Sequence, residues 1–441
     1  MQFSISFICV KLLGRLGLEM LSLNAEKVFR FQTIFFINVV LFNVLVISYQ
    51  NYNVPIFGYL GYVSDYSVNR TFIALCYLIP LSMICSSQFD ALEKFVINIA
   101  SFALVIPLLA IFACVGFDVA FLNLVFLQLF LIKWIGSYSP KKLKKFSNSR
   151  YLAELIALIV SVFSIIILFL NFGFQGLELD IFNIYEQRIK AKETVFNGLN
   201  GYILNWHIKV FLTFLLALGI LKRSLLYFSF AILASFLSYA WLGQKIPLAM
   251  VCFVFLCFFL PKLSYVKLAV GIILVVLLSQ YLSELYSFNV PYSIAVKRVF
   301  FAPAYAVFNY YEVFSELGHT YFSDSFLRSY IDYPFSASPQ ELVAIRMTGD
   351  TALYPNVGIL GTGYQQGGYL MGVLYAILTG ALVLTFKAIS RNVDYRLMLS
   401  TVGPFLFILI TVSDFPRALL THGGGASLLM IYLAGDARRG T

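Results

Sequence analysis

The sequence predicts an all-α, polytopic membrane protein forming one domain over residues 1–441. Three observations predict it. The chain is 60% hydrophobic and only 12% charged, with a mean hydropathy of +0.86; soluble domains carry about 25% charged residues. Its apolar segments are apolar throughout. Lipid forces the backbone to satisfy its own hydrogen bonds, which leaves helices or a closed barrel, and barrel strands alternate apolar with polar residues. Finally, the charges segregate by side once the segments are counted.

Twelve spans are expected, at about 31–49, 71–87, 95–114, 119–135, 152–171, 203–221, 225–242, 246–260, 268–286, 369–386, 397–413 and 418–434. Each approaches the ~20 residues that cross a bilayer core. With the N-terminus inside, the cytoplasmic face holds 20 of 31 Lys+Arg and 7 of 21 Asp+Glu, a balance of +13. The outer face holds 11 basic and 14 acidic residues, a balance of −3. The run Lys141-Lys142-Leu143-Lys144-Lys145 with Arg150 anchors the inside, supported by Lys222-Arg223, Lys262, Lys267, Arg391, Arg396 and Arg438-Arg439. This positive-inside pattern accounts for the basic pI without a nucleic-acid partner. Both termini are therefore expected in the cytoplasm. Residues 1–30, with Lys11, Arg15, Glu19 and Glu26 among apolar neighbours, read as an amphipathic lead-in. The six cysteines lie in or near apolar stretches, so no disulfide framework is expected.

Two outer segments are substantial, 172–202 and 287–368, and they form the expected active-site region. The larger should contain short helices. It carries six acids, four bases, His319 and 17 aromatics, and ends in the glycine-rich run Gly358 to Gly368. A membrane protein has little structural need for such an insert, so chemistry or recognition is expected there. The two halves of the chain show no internal similarity, against an inverted-repeat transporter. All three histidines, His207, His319 and His422, fall at or near the outer face.

Outer loops normally avoid basic residues, so those present need a reason. On a helix Arg188 and Lys192 share a face, while Lys190 points elsewhere. Such a face either grips a diphosphate or is simply solvated. Lys245, in the tight turn Gly243-Gln244-Lys245-Ile246-Pro247, either snorkels or meets an anionic lipid head group. Lys297-Arg298 opens the aromatic run Val299 to Glu312, which reads as an interfacial helix lying on or re-entering the membrane, kinked near Pro303, with Arg298 at head-group depth. Glu178-Leu179-Asp180 has a spacing used to hold divalent cations, though two acids this close are common in loops. No zinc pattern, phosphate loop, hydrolase elbow or dinucleotide fingerprint is present in its required context.

Together these stretches resemble the Wzy-type O-antigen polymerases. Tyr185 to Tyr202 resembles their basic outer loop, with Arg188 at its arginine and Asn200-Gly201-Tyr202 closing it. Leu242 to Pro247 resembles a glycine–basic turn. Lys297-Arg298 with Phe300 and Pro303, then Phe314 and Gly318 to Asp324, resembles the start of their large loop. Asn356 to Gly372 resembles the approach to the next helix. An Arg-x10-Gly spacing seen in some members is met here only from Lys190 to Gly201.

The resemblance implies glycosyl transfer at the periplasmic face of a bacterial inner membrane. The growing polymer on undecaprenyl diphosphate is the donor, and a hydroxyl of the next lipid-linked unit is the acceptor. Arg188, Lys190, Lys192, Lys245, Lys297 and Arg298 are then candidates for the diphosphate, His319 or Glu312 for the hydroxyl proton, and Asn356, Tyr364, Tyr310 and Tyr311 for the sugar. No cofactor or metal is expected, which sets the Glu178/Asp180 pair aside. Implied partners are the lipid-linked oligosaccharide, membrane lipids and a chain-length regulator protein. An O-antigen ligase shares the layout and chemistry. A lipid-linked oligosaccharide flippase is the non-enzymatic alternative, though mid-span charges that would line its cavity are nearly absent.

Overall fold

The computed structural model describes residues 25–140, 149–180, 184–286, 289–325, 327–351 and 353–435. The expected lead-in up to residue 24, the Lys141–Lys145 run and Arg438-Arg439 lie outside the described residues. Within them the chain is helical, without a β-strand beyond one isolated bridge between Gln88 and Ser264.

In chain order the helices are α1 Lys27–Leu60, α2 Val68–Ile84, α3 Leu92–Val115, α4 Val119–Gly136, α5 Ser149–Phe172 and α6 Ile184–Thr194. Then come α7 Gly198–Lys222, α8 Leu225–Leu242, α9 Ile246–Lys262, α10 Tyr265–Tyr286, α11 Ala302–Leu317 and α12 Pro339–Thr348. The last four are α13 Ile359–Ile389, α14 Tyr395–Thr411, α15 Phe415–Thr421 and α16 Gly424–Ala434. Eight of these are long and apolar enough to cross a membrane: α1, α3, α4, α5, α7, α8, α10 and α13. The shorter apolar helices α2, α9, α14 and α16 fall where the other four spans were expected.

Local chemistry sets many of the ends. Asp118 caps α4 by accepting from the Ala120 amide at 2.8 Å, and Asp394 caps α14 through Arg396 at 2.8 Å. A capping box of Ser338 and Glu341 starts α12. At one end of the bundle the connectors are short and rich in ion pairs. Glu154 meets Lys222 at 2.5 Å, and Lys387 meets Glu93 at 3.2 Å and the Gly136 carbonyl at 2.7 Å. The cysteines Cys76, Cys85, Cys114, Cys252 and Cys257 are free, and Cys9 lies outside the described residues.

The structure corrects one expectation. The aromatic run after Lys297-Arg298 does not lie on a surface but packs inside the protein. A π-helical stretch, Ser293–Phe301, leads into α11, with Pro303 in its first turn, where a missing N–H leaves nothing unsatisfied. Ala304 to Tyr311 are all buried. Phe308 stacks on Phe117 of the α3–α4 connection at 4.2 Å between centroids, and Tyr311 stacks on Phe121 of α4 at 4.7 Å. The aromatic side chains that made the segment look interfacial are core residues, packed ring on ring. Beside it α13 runs along α4, close enough for Gln128 to donate to the Gly372 carbonyl at 3.0 Å.

Candidate functional site

The basic residues of the first loop stand on α6. Ala191 and Val195 of that helix are buried against Phe172, Leu204, Ile208, Trp241 and Leu242. Gln187 ties it to the Gly176 and Trp241 carbonyls at 3.1 and 2.6 Å. Arg188, Lys190 and Lys192 are left exposed. Lys245, also exposed, lies just past Trp241, so its turn is near α6. Lys297 and Arg298 belong to a different group. The Lys297 amine sits 4.0 Å over the Phe57 ring, and burial, helped by Arg298, lowers its pKa; Arg298 is exposed. Thus the six expected diphosphate ligands fall into two sets on different elements.

The second loop builds a more organised arrangement around α13. That helix breaks at Gly367 and Gly368, and Gly368 takes φ +65°, a left-handed backbone that suits glycine. A Cβ at Gly368 would stand 2.9 Å from His319 Nε2. The break frees the carbonyls of Gln365 and Gln366, which accept from the amides of Thr320 and Tyr321 at 3.0 and 3.1 Å. Gln366 Oε1 also accepts from the Phe322 amide at 2.6 Å and the Thr320 hydroxyl at 2.7 Å. Tyr321 and Phe322 are held at φ 50° and 65°. Left-handed backbone at two successive non-glycine residues costs roughly 1–2 kcal/mol each, and such strain collects at functional sites.

Of the expected residues, His319, Tyr364 and Tyr311 come together here. The His319 ring is edge-on to Tyr364 at 5.3 Å, and Tyr364 lies 4.6 Å from Tyr311. Tyr311 donates to Asp118 Oδ2 at 2.8 Å and shares a hydrogen bond with Tyr369 at 3.1 Å. Burial lowers the pKa of His319, whose Nδ1 has no partner among the described residues. Glu312 stands apart, facing Arg346 at 3.5 Å; burial raises its pKa against the pull of that guanidinium. Tyr310 is buried and donates to the Pro355 carbonyl at 3.1 Å, and Asn356 is exposed. His207 is buried against Ser238 at 3.3 Å. Glu178 closes its own turn by accepting from the Asp180 amide at 2.7 Å. Among the described residues no group of three His, Cys, Asp or Glu converges as metal ligands would.

A cleft of about 390 Å³ opens beside this loop, lined by Asp324, Arg328, Tyr333, Ser338, Glu341 and Arg417 among others. Arg328 and Arg417 are exposed, and neither forms an ion pair among the described residues. Asp324 accepts from Gln366 Nε2 at 3.0 Å and Gln365 Nε2 at 3.1 Å. Behind the cleft Asp414 takes a 2.6 Å hydrogen bond from Tyr375, and burial, with Asp324 adding, pushes its carboxyl up to about 6. Arg417 rides on α15, which is pinned to α7 by Trp206 donating to the Leu420 carbonyl at 2.6 Å and Lys209 to His422 Nδ1 at 2.7 Å. Burial, with Lys209 and Arg417 nearby, pushes His422 down to about 3.

Sequence alone assigned no site role to Arg417, Asp414 or Asp118; Arg328 stood only among the loop's charges, and Asp324 there and at the end of the resembling stretch Gly318 to Asp324. One signal was present for Arg417: it is a basic residue between two short apolar segments on the acid-rich side. No family model matches the chain, and no curated protein and no solved structure matches it either.

Proposed function

We propose that the protein is a lipid-linked oligosaccharide polymerase. It joins repeat units carried on undecaprenyl diphosphate into O-antigen polysaccharide, working at the periplasmic face of a bacterial inner membrane. The observation that carries this reading is the cleft with Arg328 and Arg417, two guanidinium groups without a carboxylate partner among the described residues. Arginine presents a planar fork of donors that matches phosphate oxygens. A pair of them can bind a diphosphate and stabilise the charge that develops as it leaves. The strained loop docked on the α13 break adds a preorganised wall. The charge balance of +13 against −3 supports an outer location for this end under the positive-inside rule.

Two measurements test the proposal. Purified protein in liposomes, given purified undecaprenyl-diphosphate-linked repeat units, should yield a ladder of multi-repeat products, and Arg328→Ala with Arg417→Ala should abolish it. A strain lacking the protein should make lipopolysaccharide capped with single repeats. Loss of all capping would instead identify a ligase or flippase and overturn the polymerase reading.

A further inference from the structure

The cleft contains a carboxylate that its binding task does not explain. Asp324 lines it together with Arg328 and Arg417. A negative charge in a site for a diphosphate opposes binding, since like charges a few ångströms apart repel by several kcal/mol at about ε 20. Yet the fold takes care to orient it. Each Asp324 oxygen accepts one amide hydrogen bond, from Gln365 at 3.1 Å and Gln366 at 3.0 Å. Both amides stand on the last helical residues before the Gly367–Gly368 break. Amides fix direction without pairing the charge, and a carboxylate oxygen with one such bond keeps a lone pair free. Asp324 forms no ion pair among the described residues.

The other acid lining the cleft, Glu341, is committed. Glu341 accepts from the Ser338 amide at 2.8 Å and from Tyr354 at 3.2 Å. Glu312 faces Arg346. His319, whose Nε2 would stand 2.9 Å from a Cβ at Gly368, is not among the residues that line the cleft.

Resting on the proposed polymerase function, we infer that Asp324 is the catalytic proton acceptor for the incoming hydroxyl. The acceptor oxygen forms a bond to the anomeric carbon of the donor. The bond from that carbon to the diphosphate oxygen breaks, and its electron pair leaves on the diphosphate, held by Arg328 and Arg417. The hydroxyl proton passes to a free lone pair of Asp324 and from there to water.

The test uses the full-length protein in liposomes with purified undecaprenyl-diphosphate-linked repeat units. Asp324→Asn keeps an oxygen for one of the two amides and removes the base. It should lower kcat by about 10²–10⁴-fold, the usual contribution of a positioned base, with donor affinity unchanged or tighter. Asp324→Ala should regain rate when formate is added, and its melting temperature reports folding independently. Asp324→Asn turning over within threefold of wild type would overturn the assignment, as would a loss confined to donor affinity or an Asp324→Ala protein that melts normally and ignores formate. In each of these cases the wild type still polymerises, so the function stands and only the base is wrong. A wild type that makes no polymer from these substrates overturns both.

Discussion

Gly358→Ala is the sharpest test of how the site end is packed. Gly358 sits at φ −83°, a backbone any residue adopts, so the substitution is limited by space alone. A Cβ there would lie 1.9 Å from the Ile410 carbonyl oxygen, 2.1 Å from its carbon and 2.6 Å from the Thr411 nitrogen. Real Cβ atoms essentially never come within 3.0 Å, so the last turn of α14 must move by about 1.1 Å (3.0 − 1.9). The obstacle is backbone in a close-packed interior and cannot rotate away as a side chain would. Overpacking of this kind costs on the order of 1–3 kcal/mol, and more where backbone blocks it. The same turn leads directly to Asp414 and Arg417, so the displacement should reach the cleft. Misplacing a site group by about 1 Å can cost ~10²-fold in rate. Gly271→Ala is the matched control, because nothing lies within 4 Å of its Cβ in α10. Alanine is favoured over glycine inside a helix by roughly 0.5–1 kcal/mol, so that variant should hold or gain stability. Thermal unfolding of both variants in the same detergent, with polymerisation measured in liposomes, is the assay. If Gly358→Ala melts at or above Gly271→Ala with full activity, the close approach of α13 to α14 is wrong.

Arg328→Ala and Arg417→Ala should each slow polymerisation by roughly 30–1000-fold, from ~2–4 kcal/mol per lost contact to the leaving diphosphate. Arg188→Ala and Arg298→Ala test the basic residues favoured by the resemblance; larger losses there than in the cleft pair, at equal protein level, would move the donor site. Asp414 has its carboxyl raised from 3.8 to about 6, so the folded state favours the protonated form. Its stabilisation, about 3 kcal/mol at most, is full below pH 3.8 and lost as pH rises through about 6. Melting curves between pH 4 and 7 should therefore fall more steeply for wild type than for Asp414→Asn, and parallel curves would refute the shift. Polymerisation should persist in excess EDTA, because arginines can stabilise a diphosphate leaving group; inhibition reversed by magnesium and reproduced by Asp180→Asn would make the acidic pair the site. A cysteine introduced beside Lys144 should resist an impermeant thiol reagent in intact cells, and its labelling would invert the topology.

The eight long apolar helices were legible because their signal is local. Some twenty successive apolar residues fix a helix whatever surrounds it, and the expected 152–171 and 225–242 match Ser149–Phe172 and Leu225–Leu242. The first span was read short. The expected end at 49 is followed by the π-helical turn Tyr49–Asn53, which carries the helix through Pro55 to Leu60. The burial of the α11 segment was not legible for a different reason. Lys297, Arg298, Glu312 and Glu316 bracket its apolar residues and keep it below span length. Its aromatic content fits an interface as well as a core, and only the packing of Phe308 on Phe117 and Tyr311 on Phe121 decides between them.

The candidate site was legible as residue types and not as an assembly. Asp324, Gln365, Gln366 and Arg417 are brought together by the break in α13 and the seating of α15, neither of which leaves a pattern at short range. Sequence singled out six of the eleven basic residues expected outside, and the surroundings of all eleven sort them differently. Arg70 is paired with Asp65 at 3.1 Å, and Arg346 with Glu316 at 3.2 Å. Lys297 lies on the Phe57 ring, and the buried Lys209 holds α15 through His422. These four have structural work, and removing one would disturb packing before chemistry. Arg188, Lys190, Lys192, Lys245, Arg298, Arg328 and Arg417 have no such partner among the described residues. A diphosphate needs two cations on one concave surface, because a single exposed guanidinium competes poorly with water. Of the seven, Arg328 and Arg417 are the pair that shares a cleft with an oriented carboxylate. That shared geometry, more than the number of positive charges in either loop, is what favours this end of α13 as the proposed place for glycosyl transfer.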